Sequence, residues 1–180
     1  MTVPNFITSI RIILTPIFII YLINDEYLPA LFLFILAGLT DAADGLIARL
    51  FNQKSELGAF LDPLADKILL IAAFVVLSVK GPVPPWLSVI VISRDILILL
   101  GVLILFLNNQ DFAFKPTIIS KTTTCLQLAT VFMVLSIKYF PVFGRFSGSL
   151  FSVTALFTVT SCLHYMIHWF RMMGEGPTRD

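Results

Sequence analysis

The sequence predicts an all-α integral membrane protein, with six transmembrane helices in one bundle around a polar, metal-binding cavity. Three observations support this fold class. The 180 residues are 58% hydrophobic and only 13% charged, which is too apolar for a soluble domain of this length. Apolar segments long enough to cross a bilayer recur between short polar or proline-rich turns. Four aspartates fall within two of those segments, and intramembrane acids in such numbers require a cation.

The six predicted spans follow one another without a linker or a repeat, so residues 1–180 form one predicted domain. They cover about residues 1–23, 28–50, 57–79, 87–107, 118–137 and 146–170. The net charge of +1 gives no basis for nucleic-acid binding. Cys125 and Cys162 lie in apolar segments, which predicts buried, inert thiols rather than a disulfide or a metal site.

The first span resembles a secretory signal in its apolar run but has no positive region before that run. It also has no clear small-residue cleavage site, so we expect it to be retained. Asn5, Thr8 and Arg11 recur along one side of it at helical spacing. This polar stripe either faces a polar interior or snorkels to the membrane interface.

The second and third spans form a predicted hairpin around the polar connection 51–56. Asp41 and Asp44 are three residues apart, and Asp62 and Asp66 are four apart, so each pair projects from one side of its helix. The hairpin brings the two pairs towards each other at a membrane boundary. The alternative is that these acids are helix caps or surface ion pairs.

Four neighbouring carboxylates cannot all remain ionised without compensation, because repulsion and desolvation both raise carboxylate pKa values. Arg49 and Lys67 are the only bases in the two spans that carry the aspartates, which leaves about two negative charges unanswered. The stretch holds no His or Cys, and all-oxygen ligation favours Mg²⁺ or Mn²⁺ over Zn²⁺. The residues therefore predict a divalent metal site.

The fourth span follows the rigid turn Gly81–Trp86, and Trp86 is expected to anchor it at the interface. Arg94 and Asp95 lie inside this span. At a rise of 1.5 Å per residue, Arg94 is expected roughly 12 Å from Trp86, close to the bilayer centre. A cation at that depth must face a polar cavity, because exposure to lipid costs at least about 2.5 kcal/mol.

The fifth span follows a polar loop ending at Lys115 and begins with Ser120, Lys121 and Thr122 in its first turn. The turn 141–145 separates it from the sixth span. His164 and His168 have a metal-ligand spacing there, but no third ligand is near, so the sequence favours interfacial polar residues.

The basic residues give a weak indication of orientation, with the predicted active site on the cytoplasmic side. Placing residues 49–54 inside puts both termini inside. The inside set then also includes Lys115, Arg171 and Arg179, and the outside set comprises Lys80, Lys138 and Arg145.

The aspartate hairpin resembles the full signature of the CDP-alcohol phosphotransferase (phosphatidyltransferase) family. The pattern is Asp41-x2-Asp44-Gly45-x2-Ala48-Arg49-x8-Gly58-x3-Asp62-x3-Asp66, with eight fixed residues and no departure. Further stretches resemble the branch that makes phosphatidylglycerophosphate and cardiolipin. These are Pro4-Asn5 with Arg11, Ile92-Ser93-Arg94-Asp95, and Lys115-Pro116-Thr117 followed by Ser120-Lys121.

The resemblance implies a six-helix membrane enzyme, usually a homodimer, that transfers a phosphatidyl group from CDP-diacylglycerol to an alcohol and releases CMP. It implies that Asp41, Asp44 and Asp62 are metal ligands for Mg²⁺ or Mn²⁺, with two ions expected. Asp66 is implied to assist with metal and to take the proton from the attacking hydroxyl. An aspartate suits this role only if it lies within hydrogen-bond reach of that hydroxyl.

The resemblance also implies two binding regions. The CDP-binding residues would be Gly45, Ala48, Arg49, Ser55 and Gly58, closed from the first helix by Asn5 and Thr8. The acceptor-binding residues would be Arg94, Lys121 and Lys115. Without the resemblance, these three bases are simply charge partners of the aspartates.

The expected acceptor is phosphatidylglycerol, giving cardiolipin, because the Lys-Pro-Thr and Ser-Arg-Asp stretches resemble CMP-forming cardiolipin synthases. Glycerol-3-phosphate, giving phosphatidylglycerophosphate, is the alternative acceptor. A prenyltransferase also binds diphosphate through paired aspartates, but the Asp-Gly-x2-Ala-Arg core does not resemble its pattern. A small transporter would explain intramembrane acids, although not their gathering in one hairpin.

Overall fold

The structure is a computed structural model that describes the backbone of residues 3–51, 56–107 and 117–174. It describes the side chains of residues 13–40, 67–101 and 117–167. Within the described backbone every regular element is an α-helix, and there are six of them. They are α1 (Val3–Ile23), α2 (Tyr27–Phe51), α3 (Glu56–Val79), α4 (Pro85–Leu107), α5 (Ile118–Ser136) and α6 (Val142–Gly174). The all-α class and the six predicted segments are confirmed.

Two helices begin at or directly after a proline. α4 begins at Pro85. The fixed φ of proline suits the first helical position, and no intrahelical hydrogen bond is lost there, because the first backbone N–H groups of a helix have no intrahelical partner. The predicted turn 141–145 is wrong beyond its first residue, because Pro141 directly precedes α6 and the helix starts at Val142. The α3–α4 turn keeps a true breaker in Gly81, whose φ of 96° only glycine adopts freely.

The helices pack around an apolar core that every one of them enters. α1 contacts α2 and α3, α5 contacts α6 and α2, and α4 contacts α3 and α6. One buried side chain from each helix illustrates the core: Phe18, Phe34, Phe74, Leu87, Val131 and Phe151. The rings of Phe18 and Phe34 are tilted with centroids 6.1 Å apart, a favourable geometry for aromatic pairs.

Three interhelical turns meet at one end of the bundle around Asp25. The Lys80 ammonium pairs with the Asp25 carboxylate and donates to the Ile23 carbonyl at 2.7 Å. Lys138 donates to the Asp25 carbonyl at 3.5 Å and lies 5.3 Å from the centroid of the Tyr27 ring. The α1–α2, α3–α4 and α5–α6 turns therefore share this end, as the predicted grouping of Lys80 with Lys138 requires.

This ion pair predicts a pH-dependent contribution to stability. The hydrogen bond from Lys80 lowers the pKa of Asp25 below its ordinary 3.8. A lowered folded-state pKa stabilises the protein above pH 3.8 and loses that effect as the pH falls through the folded value. Asp25 has a φ of 61°, which Asn also tolerates, so Asp25→Asn removes the charge without straining the turn.

We expect Asp25→Asn to lower the thermal unfolding temperature by more at pH 6 than at pH 3, because the stabilisation by the charged carboxylate decreases as the pH falls below 3.8. Thermal unfolding in detergent at the two pH values measures this. An equal deficit at both values would show that the Asp25 charge is not its source.

The outer surface of the described helices is rich in large apolar side chains. Examples more than half exposed are Ile13, Phe32, Leu39, Val89, Leu156 and Ile167. In the described part of the chain, two helical segments are long and apolar enough to cross a membrane, Ile118–Ser136 and Val142–Ile167. The prediction of buried cysteines is wrong, since Cys125 is exposed and Cys162 half-buried. In this bundle an apolar segment also supplies the outer surface, so an apolar neighbourhood does not imply burial.

Buried charge cluster and candidate active site

Both halves of the aspartate motif lie on helical backbone. Asp41 and Asp44 fall in α2, while Asp62 and Asp66 fall in α3. Six of the predicted CDP-binding residues also lie on helical backbone: Gly45, Ala48 and Arg49 in α2, Gly58 in α3, and Asn5 and Thr8 in α1. The side chains of all these residues lie outside the described set, as do Ser55 and Lys115 altogether. The helical spacing assumed for each aspartate pair is therefore confirmed at the level of the backbone.

Immediately after the motif, Lys67 joins a buried charge cluster, defined here as Lys67, Arg94 and Asp95. One oxygen of Asp95, Oδ1, accepts from Lys67 Nζ at 2.8 Å and from Arg94 Nη1 at 2.7 Å. The Asp95 side chain is fully buried, that of Arg94 is 2% exposed and that of Lys67 is 18% exposed. Two cations face one carboxylate, so the cluster has a net charge of one positive unit.

The guanidinium of Arg94 is also bonded to α5 and α6. Its Nη2 donates to Ser120 Oγ at 2.6 Å and to Ser161 Oγ at 2.9 Å. Its Cζ lies 5.9 Å from the centroid of the Tyr165 ring. Arg94 therefore connects α4 to both following helices, and this polar surrounding agrees with the expectation that a deeply placed cation faces polar groups.

The charge cluster retains hydrogen-bonding capacity. Arg94 Nε and Asp95 Oδ2 are buried and have no partner among the described residues. Charge-assisted hydrogen bonds contribute roughly 1.5–3 kcal/mol each, whereas stranding a buried charge costs about 3–5 kcal/mol. The cluster is therefore costly to disrupt, and it can accommodate an additional polar group.

The other described acceptor candidate, Lys121, occupies a different setting. It lies in the first turn of α5, and its side chain is exposed. Thr117 caps this helix, with its side chain accepting from the Ser120 amide at 3.3 Å. The cap fixes the start of α5, which also positions the Ser120 hydroxyl that Arg94 contacts. Lys121 therefore directly follows Ser120, which contacts Arg94, but its own side chain is exposed and is not part of the charge cluster.

Hydrogen bonds continue between α5 and α6 beyond the charge cluster. The hydroxyls of Thr130 and Thr154 form a hydrogen bond with their oxygens 2.8 Å apart, and the Thr123 hydroxyl donates to the Phe157 carbonyl at 3.1 Å. Gln127 Nε2 reaches Thr158 Oγ1 at 3.4 Å. Polar contacts of this kind hold helices together in an apolar solvent, where association gains little from the hydrophobic effect.

A groove of about 330 Å³ lies between α2, α3 and α5. Its walls are mainly apolar, including Phe34, Leu70 and Phe132, and its described lining contains one charged residue, Lys67. A Cβ added at Gly38 in the wall would meet no atom within 4 Å, so the space beside that residue is open. The groove therefore presents one cation to an apolar channel.

Several of these contacts gave no usable signal in the sequence. Arg94 and Asp95 were conspicuous because charged residues inside an apolar span are costly. Their partners were not conspicuous, because Ser161 is one of many small polar residues in α6 and Lys67 directly follows the aspartate motif. In the described part of the chain, no group of three or more His, Cys, Asp or Glu residues could hold a metal. His164 is exposed, and the side chain of His168 lies outside the described set.

Comparison with known proteins identifies the family. The profile of the CDP-alcohol phosphatidyltransferase family matches residues 1–172. The chain belongs to this family. The family resemblance that the aspartate hairpin indicates is thereby confirmed, and it extends over nearly the whole chain.

The names of the relatives of this CDP-alcohol phosphatidyltransferase specify two activities. A human protein named cardiolipin synthase (CMP-forming) is 38% identical over 77% of this chain and 52% of its own length. An Aquifex aeolicus protein named CDP-diacylglycerol–glycerol-3-phosphate 3-phosphatidyltransferase is 30% identical over 96% of this chain and 98% of its own. A Mycobacterium tuberculosis protein named putative cardiolipin synthase is 36% identical over 69% of this chain and 59% of its own length. The chain spans about half the length of its human and rat relatives.

Proposed function

We propose that this protein is a CDP-diacylglycerol-dependent phosphatidyltransferase that uses a glycerol-type acceptor and releases CMP. The observation that supports this most strongly is the complete eight-residue motif on helical backbone of α2 and α3, within a chain that the family profile matches. Phosphatidylglycerol is the proposed acceptor and cardiolipin the product. The alternative acceptor is glycerol-3-phosphate, which the name of the Aquifex aeolicus relative specifies.

The proposed cofactor is Mg²⁺ or Mn²⁺, with two ions held by Asp41, Asp44, Asp62 and Asp66. An all-carboxylate donor set fits these hard cations. A bound divalent ion would neutralise diphosphate charge and orient the leaving group. The structure adds a further reason for such a cation. Lys67 donates to Asp95, so its charge is partly committed outside the aspartate motif.

The roles proposed for the remaining motif residues follow from their chemistry. Asp66 would take the proton from the attacking hydroxyl of the acceptor. The small residues Gly45, Ala48 and Gly58 would admit the nucleotide. Arg49 would contact phosphate oxygens through its planar fork of donors. Asn5, Thr8 and Ser55 complete the proposed CDP-binding set.

The proposed acceptor-binding residues are Arg94, Lys121 and Lys115. Arg94 contributes to the net positive charge of the cluster, which favours an anionic acceptor near α4 and α5. Both of its terminal nitrogens already bond to Asp95, Ser120 or Ser161. The described contacts therefore use three of its five N–H donors, which leaves the buried Nε and one N–H of Nη1, together with its electrostatic field, for the acceptor.

The proposed setting is a membrane-embedded homodimer in which all six helices span the bilayer and the motif faces the cytoplasm. The apolar exterior and the buried charges of the described helices support immersion in lipid. The shared end occupied by Lys80 and Lys138 supports antiparallel helices with short turns. Protease protection of tags placed at the α2–α3 connection in sealed vesicles tests the orientation.

Purified protein supplied with CDP-diacylglycerol tests the acceptor directly. We expect cardiolipin and CMP when phosphatidylglycerol is added, and little product with glycerol-3-phosphate. Chromatography of the lipid products and quantification of CMP measure both. Product with glycerol-3-phosphate alone would contradict the cardiolipin assignment and leave phosphatidyl transfer standing. The absence of CMP with either acceptor, in protein that unfolds cooperatively, would contradict the transferase proposal itself.

A further inference from the structure

We propose that Lys67 binds the phosphodiester of a lipid acceptor at the wall of the α2–α3–α5 groove, with its ammonium held by Asp95, which Arg94 also bonds. This inference rests on the proposed function and assigns a site for its acceptor. Lys67 directly follows Asp66, the proposed base, in the same helix. An anion bound by Lys67 would thus bring its own hydroxyl-bearing headgroup close to that base.

The hydrogen bonds of the charge cluster distinguish its two cations. Arg94 is almost fully buried, and Asp95, Ser120 and Ser161 accept three of its five N–H donors. Lys67 is more exposed, and among the described residues its ammonium donates only to Asp95. An ammonium has three N–H donors, and the described contacts use one of them. As the more exposed of the two cations, Lys67 is therefore the member of the cluster best able to contact a phosphate directly.

The groove determines which kind of anion fits. Its described lining combines Lys67 with apolar side chains of α2 and α5 such as Ile35 and Leu128. Ile35, Leu128 and Phe132 are each partly exposed, so the groove is open at the surface of the bundle, which faces lipid in the proposed membrane setting. A phosphodiester bearing acyl chains matches one cation beside an apolar channel. Glycerol-3-phosphate has no apolar part to occupy the channel.

The geometry also makes Lys67 suitable for substitution. In Lys67→Met, Asp95 keeps its bond to Arg94, so no buried carboxylate is left unpaired. Met is similar in length and apolar, so it preserves the groove wall. Lys80→Met is the matched control, because Lys80 follows α3 at its other end and also pairs with an aspartate.

Steady-state kinetics with phosphatidylglycerol and CDP-diacylglycerol varied in turn test the inference. We expect Lys67→Met to raise the KM for phosphatidylglycerol about tenfold or more, as loss of a charge-assisted hydrogen bond predicts. The KM for CDP-diacylglycerol should change by less than about twofold, and Lys67→Arg should recover most of the loss. Lys80→Met should leave both constants unchanged.

A second measurement separates phosphate recognition from general damage and does not depend on turnover of the altered enzyme. Phosphatidylmethanol carries the phosphodiester and acyl chains without a glycerol hydroxyl. It should protect the unsubstituted protein and Lys80→Met against thermal unfolding, and it should protect Lys67→Met or Lys67→Gln at about tenfold higher concentration or not at all.

Three outcomes would overturn the inference while leaving phosphatidyl transfer intact. They are an unchanged KM for phosphatidylglycerol in Lys67→Met, an equal rise in the KM for both substrates, and equal protection by phosphatidylmethanol. Failure of the unsubstituted protein to release CMP would instead refute the proposed function on which the inference rests.

Discussion

Removal of divalent metal should decrease CMP release from CDP-diacylglycerol by about 100-fold or more, and Mg²⁺ or Mn²⁺ should restore it. Charge stabilisation by a bound metal contributes several kcal/mol to phosphoryl chemistry, and each 1.4 kcal/mol changes a rate tenfold. The helices that carry the four aspartates, α2 and α3, contain only Arg49 and Lys67 as bases. Because Lys67 donates to Asp95, its positive charge is only partly available to neutralise the four aspartates.

Purified protein treated with excess chelator, and then titrated with either ion, measures this dependence. Chelator saturated beforehand with Mg²⁺ is the control, since it should not inhibit. The unfolding temperature should be followed in the same samples, so that loss of activity is separated from loss of fold. Full turnover in excess free chelator would remove the metal from the proposed mechanism.

The fold was predictable because helix length and apolar periodicity are local properties of the chain. The predicted second span, 28–50, and the observed α2, Tyr27–Phe51, differ by one residue at each end. The predicted turn 141–145 extends into α6, which starts directly after Pro141, because a proline that ends one segment is also compatible with the start of the next helix. Capping at such positions depends on the turn that precedes them.

The arrangement around Arg94 was predictable only in part. The cost of a charge inside an apolar span predicts polar surroundings, and the structure shows them. It does not predict which residues supply them. Asp95 binds Lys67 across 28 positions of sequence, and Ser161 lies 67 positions from Arg94. Such pairings follow from how the helices pack, which no local pattern encodes. The fixed spacing of the motif, by contrast, reflects helical geometry within α2 and α3.

Substitution of Asp66 by Asn should abolish phosphatidyl transfer while leaving CDP-diacylglycerol binding largely intact. General bases contribute about 10²- to 10⁴-fold to a rate, so we expect transfer to fall by roughly that factor. Asp41→Asn and Asp62→Asn should weaken binding as well, because their carboxylates are proposed to hold the metal that contacts the diphosphate. The three variants therefore distinguish a base from a ligand.

Binding of CDP-diacylglycerol, measured in detergent by protection against thermal unfolding, and single-turnover release of CMP provide the two readouts. Asp25→Asn is the matched control, since it neutralises an aspartate in the turn between α1 and α2 and should leave both readouts unchanged. Retention of binding in Asp66→Asn with loss of turnover supports the base. Equal loss of binding in Asp41→Asn, Asp62→Asn and Asp66→Asn would instead identify Asp66 mainly as a metal ligand, and another group would then have to accept the acceptor's proton.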